Sequence, residues 1–585
     1  MTGGRPLQAV SFALLGCGLC LASCSKSPAT AGGASGGAVG TGGTIATGGR
    51  VGSGGTTGSG GTTGSGGTIG SGGAGTASGG SGGASASGGT RGDGTGGSSA
   101  TGGAAGGGSR ATGGVTGSGG ADEGGGGTSG GGMIGTGAGG AGQVACPALP
   151  TSPASSGDII QFNDNGAWSW FQDERAVVDT KANKLIVASI ASGGTRDGQL
   201  ETVIYDLTTR NGTRYTLPST LGSANVDDHN SPALLVRRDG KYLATWSGHR
   251  IDCYSRYSVF DGTAWSAEQM FDWAPYGCPW AGGSTFMITY SNPWYVGSNV
   301  FNLARSVDSL PGILSSGDDG QTWSYYGKLA FAHVSDVGGY YKYWGDNSGR
   351  IDFTGTEAHP RDYDNNLWAG YIQEGKVHDS FGTVVDASLH DPSSTTSNAV
   401  DLSMYTQVFK TGSTINGVQL GHAWNHDMVR YADGTVAVLL QARVAGTGDD
   451  DPDKRELYAR FDGSKWSVTY LAKMGPKLTP EEQDYTGLAA LDPDNPHVIY
   501  LSSVYDPRDD TTMTAKHEIY EGVTCDDGAT WTWAPITQGS ASDNLRPIVP
   551  KWDPDHLALL WLRGLYTISQ EYKLSVVGLI QNSNP

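Results

Sequence analysis

Two pairs of polar side chains lie at matching positions of two predicted hairpins and could together carry out acid–base chemistry. In the segment DDHNSPALLVRRDGKYLATWSGH, two apolar strands flank the turn at Asp239-Gly240, which is a strong hairpin signal. His229 and His249 lie ten residues on either side of Asp239. Antiparallel pairing would therefore bring the two histidines to the same open end of the hairpin.

The segment TYSNPWYVGSNVFNLAR repeats this arrangement around Gly297-Ser298, and its equidistant ends are Tyr290 and Arg305. Histidine can be a base or an acid near neutral pH, and tyrosine can donate a proton. Arginine is a permanent cation that binds carboxylates in a bidentate manner. The four side chains therefore predict one site that holds an anion and moves protons without a metal.

These residues also have simpler explanations. A tyrosine at the start of a strand most often packs in a core, and an arginine at a strand end is usually solvated. The run Asp227-Asp228-His229 is compatible with a calcium or zinc loop. The chain contains only 11 histidines, so two of them at mirrored positions of one hairpin favour the joint site.

A second histidine pair is weaker. His422 and His426 are four residues apart, so in a strand they would share a face and could bind one structural divalent metal. No cysteine or obvious third ligand is nearby, which favours a buried polar pair. We therefore expect that no cofactor is required.

The elements that would position these residues are short strands. Runs such as KLIVASIAS, LETVIYDL, YLATWS, VAVLLQAR and LALLWLRG are separated by Asp-Gly, Asn-Gly and Pro turns. Long segments with a helical period of 3.6 residues are absent from this pattern. The sequence therefore predicts an all-β protein.

A repeated turn motif refines the fold. SGDDGQTW, ending at Trp323, and TCDDGATW, ending at Trp531, fit the pattern S/T-x-D-x-G-x-T-W, and FDGTAW and FDGSKW, ending at Trp265 and Trp466, are weaker versions. The four tryptophans are 58, 143 and 65 residues apart, so the repeat is roughly 60–70 residues if one interval skips a unit. We predict a β-propeller of four-stranded antiparallel sheets with six or seven blades.

Several segments together resemble a known family. They are WSWFQDERAVV, DDHNSPALL, TYSNPWY, SGDDGQTW, EAHPRDYDNNLW, KHEIYEGVTCDDGATWTW and DNLRPIVP. The chain resembles the BNR-repeat (Asp-box) propeller family, which includes seven-bladed ulvan lyases and rhamnose–glucuronate lyases. The resemblance implies a polysaccharide lyase that cleaves an anionic, uronic-acid-containing polymer by β-elimination. The segment YGCPWAGGSTF departs from the family, which leaves the pocket wall and the substrate open.

The resemblance places the lyase residues on five positions, His229, His249, Tyr290, Arg305 and His359, and we expect Arg361 and Arg250 to bind the substrate as well. Arg305 would neutralise the substrate carboxylate while C5 loses its proton, and His229 would be the base. Tyr290 would protonate the leaving oxygen or act as base for the opposite C5 epimer. His249 would orient His229 or bind the substrate, and the remaining three would contact the uronate.

Two other functions remain open. One is a glycoside hydrolase of the sialidase or rhamnosidase type, which would need a carboxylate acid/base or a Tyr/Glu nucleophile pair. No FRIP-like motif stands at the domain start, where the chain reads WFQDERAVV. The other is a non-catalytic glycan-binding lipoprotein, whose aromatic segments WAPYGCPW and GGYYKYWGD would stack on sugars.

The N-terminal quarter of the sequence predicts where the protein is located. Residues 1–24 resemble a lipoprotein signal peptide, in which Arg5 precedes an apolar stretch and LASC ends at the residue to be lipidated, Cys24. Residues 25–145 are a Gly/Ser/Thr-rich tether that we expect to be disordered, and residues 146–585 form the propeller domain. We expect an exported monomer, bound to the outer membrane or cell surface only through its lipid.

Charge excludes one class of partner. The chain has a net charge of −19, and its first 145 residues contain five basic and three acidic residues, so the rest carries −21. Such an acidic domain is a poor binder of nucleic acid, and an anionic substrate would need a local basic pocket. The domain cysteines at 146, 253, 278 and 525 allow one or two disulfides, with the pairing open.

Overall fold

The computed structural model of the protein describes residues 146–582 apart from 174, 223–224, 279–287, 307–308, 333–337 and 392–398. Strands dominate this part of the chain, and they form seven antiparallel sheets. The predicted signal peptide with Cys24, the tether and most of YGCPWAGGSTF lie outside the described residues. No helix within these ranges is long and apolar enough to cross a membrane.

Each sheet is one blade of a propeller. Strand β1 (Ile160–Asn163) comes first in the chain but belongs to the last blade. Blade 1 contains β2 (Ala176–Asp179), β3 (Lys184–Ile190), β4 (Leu200–Asp206) and β5 (Asn211–Thr216). Blade 2 contains β6 (Ala233–Val236), β7 (Tyr242–Ser247), β8 (Tyr254–Phe260) and β9 (Gln269–Asp272). Blade 3 contains β10 (Thr289–Val296), β11 (Asn299–Arg305), β12 (Pro311–Ser316) and β13 (Ser324–Lys328).

Blades 4 and 5 are larger than predicted. Blade 4 contains β14 (Tyr341–Gly345), β15 (Arg350–Thr356), β16 (Leu367–Gln373), β17 (Lys376–Asp379) and β18 (Val384–Asp386), and β19 (Thr406–Phe409) also pairs with β16. Blade 5 contains β20 (Thr414–Ile415), β21 (Val418–Arg430), β22 (Val436–Val444), β23 (Lys454–Phe461) and β24 (Trp466–Gly475). The additional strands lie at the edges of otherwise four-stranded sheets.

The last two blades complete the ring. Blade 6 contains β25 (Ala489–Leu491), β26 (Val498–Tyr505), β27 (Met513–Val523) and β28 (Thr532–Pro535). Blade 7 contains β29 (Asp543–Ile548), β30 (His556–Ile568), β31 (Glu571–Asn582) and β1. Short 3-10 helices span Gly194–Arg196, Asp228–Asn230, Ala274–Tyr276 and Leu402–Met404.

The fold prediction is confirmed with seven blades. Along most of the ring, the innermost strand of one blade contacts the innermost strand of the next, as in β6 against β2 and β10. In the last blade, β1 pairs with β31, with Ile160 opposite Gly578 and Gln161 opposite Val577. The outermost strand of blade 7 therefore comes from the other end of the domain and closes the ring.

The four repeated turn motifs lie between the third and fourth main strands of blades 2, 3, 5 and 6. In blade 3, the Asp318 carboxylate accepts hydrogen bonds from the backbone amides of Gln321 at 3.1 Å and Thr322 at 2.8 Å. Asp526 of blade 6 accepts the amide of Thr530 at 2.8 Å. The long interval between the second and third motifs corresponds to blade 4.

A segment of the chain before blade 1 fills the centre of the ring. The Trp170 indole donates to the Thr486 carbonyl of blade 6, and the Phe171 ring stacks on Trp424 of blade 5. The Gln172 amide donates to the backbone carbonyl of His229, next to blade 2. Because these three consecutive residues reach three blades, they form a plug across the channel.

Two disulfides join the described cysteines, and their pairing is now assigned. Cys146 is bonded to Cys525, which lies in the turn between β27 and β28 of blade 6, 379 residues away. Cys253 is bonded to Cys278, which is 25 residues away. The first disulfide ties the start of the domain to a blade that is not the one completed by β1.

Four innermost strands share a backbone irregularity near their beginnings. A residue other than glycine adopts a positive φ there in blades 3, 5, 6 and 7: Tyr290, His422, Leu488 and Arg546. In β10, β21 and β29, a shift in strand register accompanies it. Such bulges bend a strand and redirect a side chain, so the start of an innermost strand can place a residue over the channel.

Candidate active site

The four residues predicted from the two hairpins lie together on one face of the propeller. This site face is the one at which the innermost strands begin. The ring centres of His229 and His249 are 4.2 Å apart, and those of His229 and Tyr290 are 5.4 Å apart. The guanidinium carbon of Arg305 lies 4.6 Å from the centre of the Tyr290 ring. Both hairpins therefore deliver their polar ends to one place.

The pairing of Tyr290 with Arg305 differs from the expectation. The residue opposite Arg305 is Thr289, because a bulge between Thr289 and Asn292 shifts the register of β10 against β11. Tyr290 lies in this bulge with φ of 59°. A positive φ at a bulky residue costs about 1–3 kcal/mol and persists only where the surroundings hold it. The bulge redirects the Tyr290 side chain towards the histidine pair.

One carboxylate bridges the two histidines. Asp227 Oδ1 lies 2.7 Å from Nδ1 of His229, and Asp227 Oδ2 lies 2.9 Å from Nδ1 of His249. Gln570, at the tip of the β30–β31 hairpin, donates its amide to Asp227 Oδ2 at 2.8 Å. Each ring thus uses Nδ1 for Asp227, and neither Nε2 atom has a hydrogen-bond partner in the described part of the chain.

The two histidines differ in charge. Burial acts to lower the pKa of His229, but Asp227 and Asp228, both 2.7 Å from its Nδ1, outweigh it and raise the pKa well above the usual value. Burial lowers the pKa of His249 to about 4, since only Asp227 opposes it and charged His229 adds to it. His229 is therefore held as a cation, and His249 is the neutral imidazole able to accept a proton.

Tyr340 belongs to this cluster and was missed in the sequence. Its hydroxyl accepts from Tyr290 at 3.3 Å and lies 3.2 Å from Nε2 of His359, and the guanidinium carbon of Arg305 lies 5.1 Å from the centre of its ring. Because the backbone amide of Arg361 donates to Nδ1 of His359 at 3.2 Å, Nε2 carries the proton of the neutral imidazole and donates to Tyr340. Two donors and the charge of Arg305 therefore converge on Tyr340.

This convergence separates the two tyrosines. Burial alone would raise the pKa of Tyr340, but Arg305, His229 and the donating Tyr290 hydroxyl outweigh it and lower the pKa below its usual value. Burial and the neighbouring Tyr340 instead raise the pKa of Tyr290 well above normal. Tyr290 is thus kept as a proton donor. The sequence signal for Tyr340 lay in GGYYKYWGD, which was interpreted as a loop, whereas Tyr341–Gly345 is innermost strand β14.

Arg305 is an anion receptor. Arg305 is only 7% exposed, and among the described residues no carboxylate pairs with its guanidinium, which lies over the rings of Tyr290 and Tyr340. A buried cation without an anion is costly. The guanidinium, which can bind a carboxylate through two parallel hydrogen bonds, is therefore suited to an acidic group of a ligand.

The three predicted substrate-binding residues have different environments. His359 joins the cluster through Tyr340, and burial followed by Arg361 lowers its pKa well below normal. Arg361 forms an ion pair with Glu482 at 3.1 Å. Arg250 is exposed in the β7–β8 loop beside His249. Only His359 is thus in contact with the core of the site.

The two remaining histidines have separate partners. Nε2 of His426 lies 2.6 Å from Oε1 of the buried Glu456, while Nδ1 of His422 accepts from Arg443 at 2.7 Å. Register shifts on either side of Trp424 break the regular alternation of β21, so spacing by four does not put the two rings together. This corrects the geometry on which the shared metal was predicted.

Another set of side chains could hold an ion. One ligand atom each from Asp227, His229 and His249 lies within 4.8 Å of the others, which is the only such grouping of three found in the described residues. A carboxylate and two imidazoles suit zinc, with a fourth position left for water or substrate. However, both Nδ1 atoms are hydrogen-bonded to Asp227, so binding through them would break the bridge.

No protein-family profile matches the chain, and no curated protein matches it in sequence. Solved structures are similar in fold. An ulvan lyase bound to -[GlcA(1-4)Rha3S]- aligns over 71% of this chain and 94% of its own, at 12% identity and a TM-score of 0.50. A second ulvan lyase structure aligns over 72% and 95%, at 11% identity and a TM-score of 0.50. At these identities, the structural similarity shows a shared propeller fold and nothing more.

Proposed function

We propose that the propeller is a carbohydrate-active enzyme that cleaves a uronic-acid-containing polysaccharide by β-elimination. The observation that carries this proposal is the buried Arg305 guanidinium, which pairs with no carboxylate among the described residues and lies against the two hydrogen-bonded tyrosines. The cluster also contains a neutral imidazole. An anion receptor beside a proton donor and a proton acceptor is what elimination next to a carboxylate requires.

Arg305 binds the uronate carboxylate and so stabilises the negative charge that develops when the proton leaves C5. Nε2 of His249 accepts this proton, because His229 is already protonated between two carboxylates. The electron pair of the C5–H bond forms the C4–C5 double bond, and the bond from C4 to the linking oxygen breaks. Tyr290 donates its proton to that oxygen. His229 keeps Asp227 ionised, and Tyr340 lies beside Arg305 between turnovers.

This assignment changes the role first expected for His229. The sequence favours His229 as base because the resemblance points to it and because the usual pKa of histidine is near neutral. Asp227 and Asp228 instead make it an imidazolium, which is an acid. The base is therefore its stacked partner.

The test is to incubate the full-length protein with several uronate polymers and follow the ultraviolet absorbance of the unsaturated uronate product. His249→Ala should reduce turnover by roughly 10²–10⁴-fold, and Lys241→Gln, at the exposed far end of the β6–β7 hairpin, is the control. Addition of a chelator should leave the rate unchanged, since no step requires a metal. Cleavage that yields only saturated sugars would reject elimination in favour of hydrolysis.

A non-catalytic glycan-binding protein is the other outcome of this experiment. In that case no polymer would yield product, and binding would survive Tyr290→Phe. The GGYYKYWGD segment no longer supports this alternative, because its residues from Tyr341 to Gly345 form innermost strand β14.

A further inference from the structure

The supply of cations on the site face limits which anionic polymers can be bound. Every Lys and Arg after residue 145 lies in the described part of the chain. Arg305 is the one at the centre of the proposed site. The next cation is Arg361, whose backbone amide donates a hydrogen bond to His359 of the same cluster.

Arg361 is neutralised by an anchored carboxylate. Glu482 Oε2 accepts from the Arg361 guanidinium at 3.1 Å, and Glu482 Oε1 accepts from the backbone amide of Ser569 at 3.2 Å. Glu482 is 4% exposed and lies in the segment between β24 and β25. Because one end of the carboxylate is held by blade 7, it is a fixed counterion and cannot move aside for a ligand.

Two further cations over blade 5 are also paired. Arg443 forms an ion pair with Asp484 at 3.1 Å. Lys477 contacts Asp449 at 2.8 Å and Asp450 at 2.7 Å. The cations of the His359–Arg361 segment and of the side chain in contact with it, Arg361 and Arg443, are therefore both matched by carboxylates.

The charge of the whole domain is also negative. The domain carries a net charge of −21, and Asp227 and Asp228 lie inside the site. Like charges brought together at an interface are strongly unfavourable. A ligand with one carboxylate at Arg305 is accommodated, whereas additional sulfates over blades 4 to 6 would meet Glu482 and Asp484.

We propose that the substrate is an unsulfated uronic-acid polysaccharide in which the sugars bound next to the cleaved uronate, over blades 4 to 6, are uncharged. This inference rests on the proposed lyase function. It separates this chain from the ulvan lyase of similar fold, which is bound to a 3-sulfated rhamnose. Exposed Arg250 lies on the opposite side, at blade 2, and does not change the local charge over blades 4 to 6.

The test compares ulvan with chemically desulfated ulvan, which share one backbone, using the full-length protein at low ionic strength. We expect kcat/KM to be about tenfold higher on the desulfated polymer. The preference should shrink at high salt, because screening weakens charge repulsion. An equal or higher rate on sulfated ulvan would overturn the inference. Absence of unsaturated product from both polymers would instead reject the proposed function, and the inference with it.

A matched pair of variants tests whether the Arg361–Glu482 ion pair causes this preference. Glu482→Gln keeps the shape of the side chain but frees the charge of Arg361, so the preference for desulfated polymer should fall by about threefold or more, mainly through KM on the sulfated one. Glu481→Gln removes the same charge from an exposed neighbouring position and should leave the preference unchanged. A folded Glu482→Gln protein with the wild-type preference would contradict the role of the ion pair.

Discussion

Arg305 and Tyr340 form the pair of residues on which the proposed chemistry depends most. The guanidinium is buried and pairs with no carboxylate among the described residues, and Tyr340, whose ring lies beside it, has a pKa below its usual value. In the absence of substrate, Tyr340 is thus a neighbour of the cation, and the uronate carboxylate would compete with it for the guanidinium.

Replacement of Arg305 should therefore affect binding and turnover together. Arg305→Ala should lower kcat/KM by about 10²–10³-fold, since the interaction that holds the carboxylate also stabilises the charge at C5. Arg305→Lys should recover only part of this, because it keeps the charge but loses the planar pair of donors. Initial rates over a range of polymer concentrations measure both effects. A lysine variant with full activity would argue against bidentate binding.

The two tyrosines should respond differently to removal of the hydroxyl. Tyr290→Phe removes the proposed acid and should lower kcat by roughly 10²–10⁴-fold with little change in binding. Tyr340→Phe removes a positioning acceptor and should lower kcat by about tenfold, the value of one charge-assisted hydrogen bond. Steady-state kinetics of both variants distinguish these roles. A larger loss in Tyr340→Phe would reverse the assignment.

The sequence predicted this site to a useful extent. His229, His249, Tyr290 and Arg305 were found because hairpin turns fix which residues lie opposite one another. Tyr340 was not found, because it belongs to no predicted hairpin pair and its segment, GGYYKYWGD, was considered only as an aromatic surface for sugars. The charge of His229 could not be predicted either, since it depends on both Asp227 and Asp228 folding back onto one ring nitrogen.

At the level of elements, bulges near the beginning of innermost strands determine what faces the channel. Tyr290, His422, Leu488 and Arg546 all adopt a positive φ at this position. Regular alternation along a strand predicts which side chains share a face, and a bulge changes the outcome for every residue beyond it. This is the physical reason that the Tyr290 register and the His422/His426 pairing were both mispredicted.

The β30–β31 hairpin is the element that reaches across the ring to hold the site. Gln570→Leu should lower kcat/KM by about tenfold, because Asp227 loses a donor and the two imidazoles lose their fixed orientation. The thermal midpoint should hardly change. Glu571→Gln, at an exposed position of the same hairpin, is the control and should keep full activity. Equal losses in both variants would indicate a general effect on the hairpin.

At the level of the whole molecule, a buried acidic pair should make stability depend on pH. Burial followed by neighbouring charge raises the pKa of Asp492 to about 7 and that of Glu521 to about 7. Both line a small cavity near Pro147. A carboxyl group whose folded pKa is raised stabilises the fold at low pH, and this contribution is lost as pH rises through about 7.

Asp492→Asn should remove this loss of stability. The thermal midpoint of the variant should therefore rise relative to that of the wild type as the pH rises through about 7. Asp462→Asn is the control, since the pKa of that exposed carboxyl is lowered to about 2 and it stays ionised throughout. Parallel thermal unfolding of the three proteins at several pH values measures the difference. A constant offset between Asp492→Asn and the wild type would contradict the prediction.

The two disulfides should differ in their contribution to stability. In the chain-entropy view, a cross-link stabilises more when it closes a longer loop, with typical values of about 2–4 kcal/mol. Replacement of Cys146 and Cys525 by serine should therefore lower the thermal midpoint more than replacement of Cys253 and Cys278, since the loops span 379 and 25 residues. Calorimetry of both double variants tests the order.

The position of the Cys146–Cys525 bond also has a mechanical consequence. Strand β1 is held in blade 7 by backbone hydrogen bonds to β31, and a force that pulls on the chain upstream of β1 could break these bonds one after another. The disulfide lies upstream of β1 and is fixed to blade 6. The force is therefore transmitted to the ring through a covalent bond before it acts on the hydrogen bonds of β1. Under tension, the oxidised propeller keeps its closure, whereas reduction transfers the load directly to the strand that closes it.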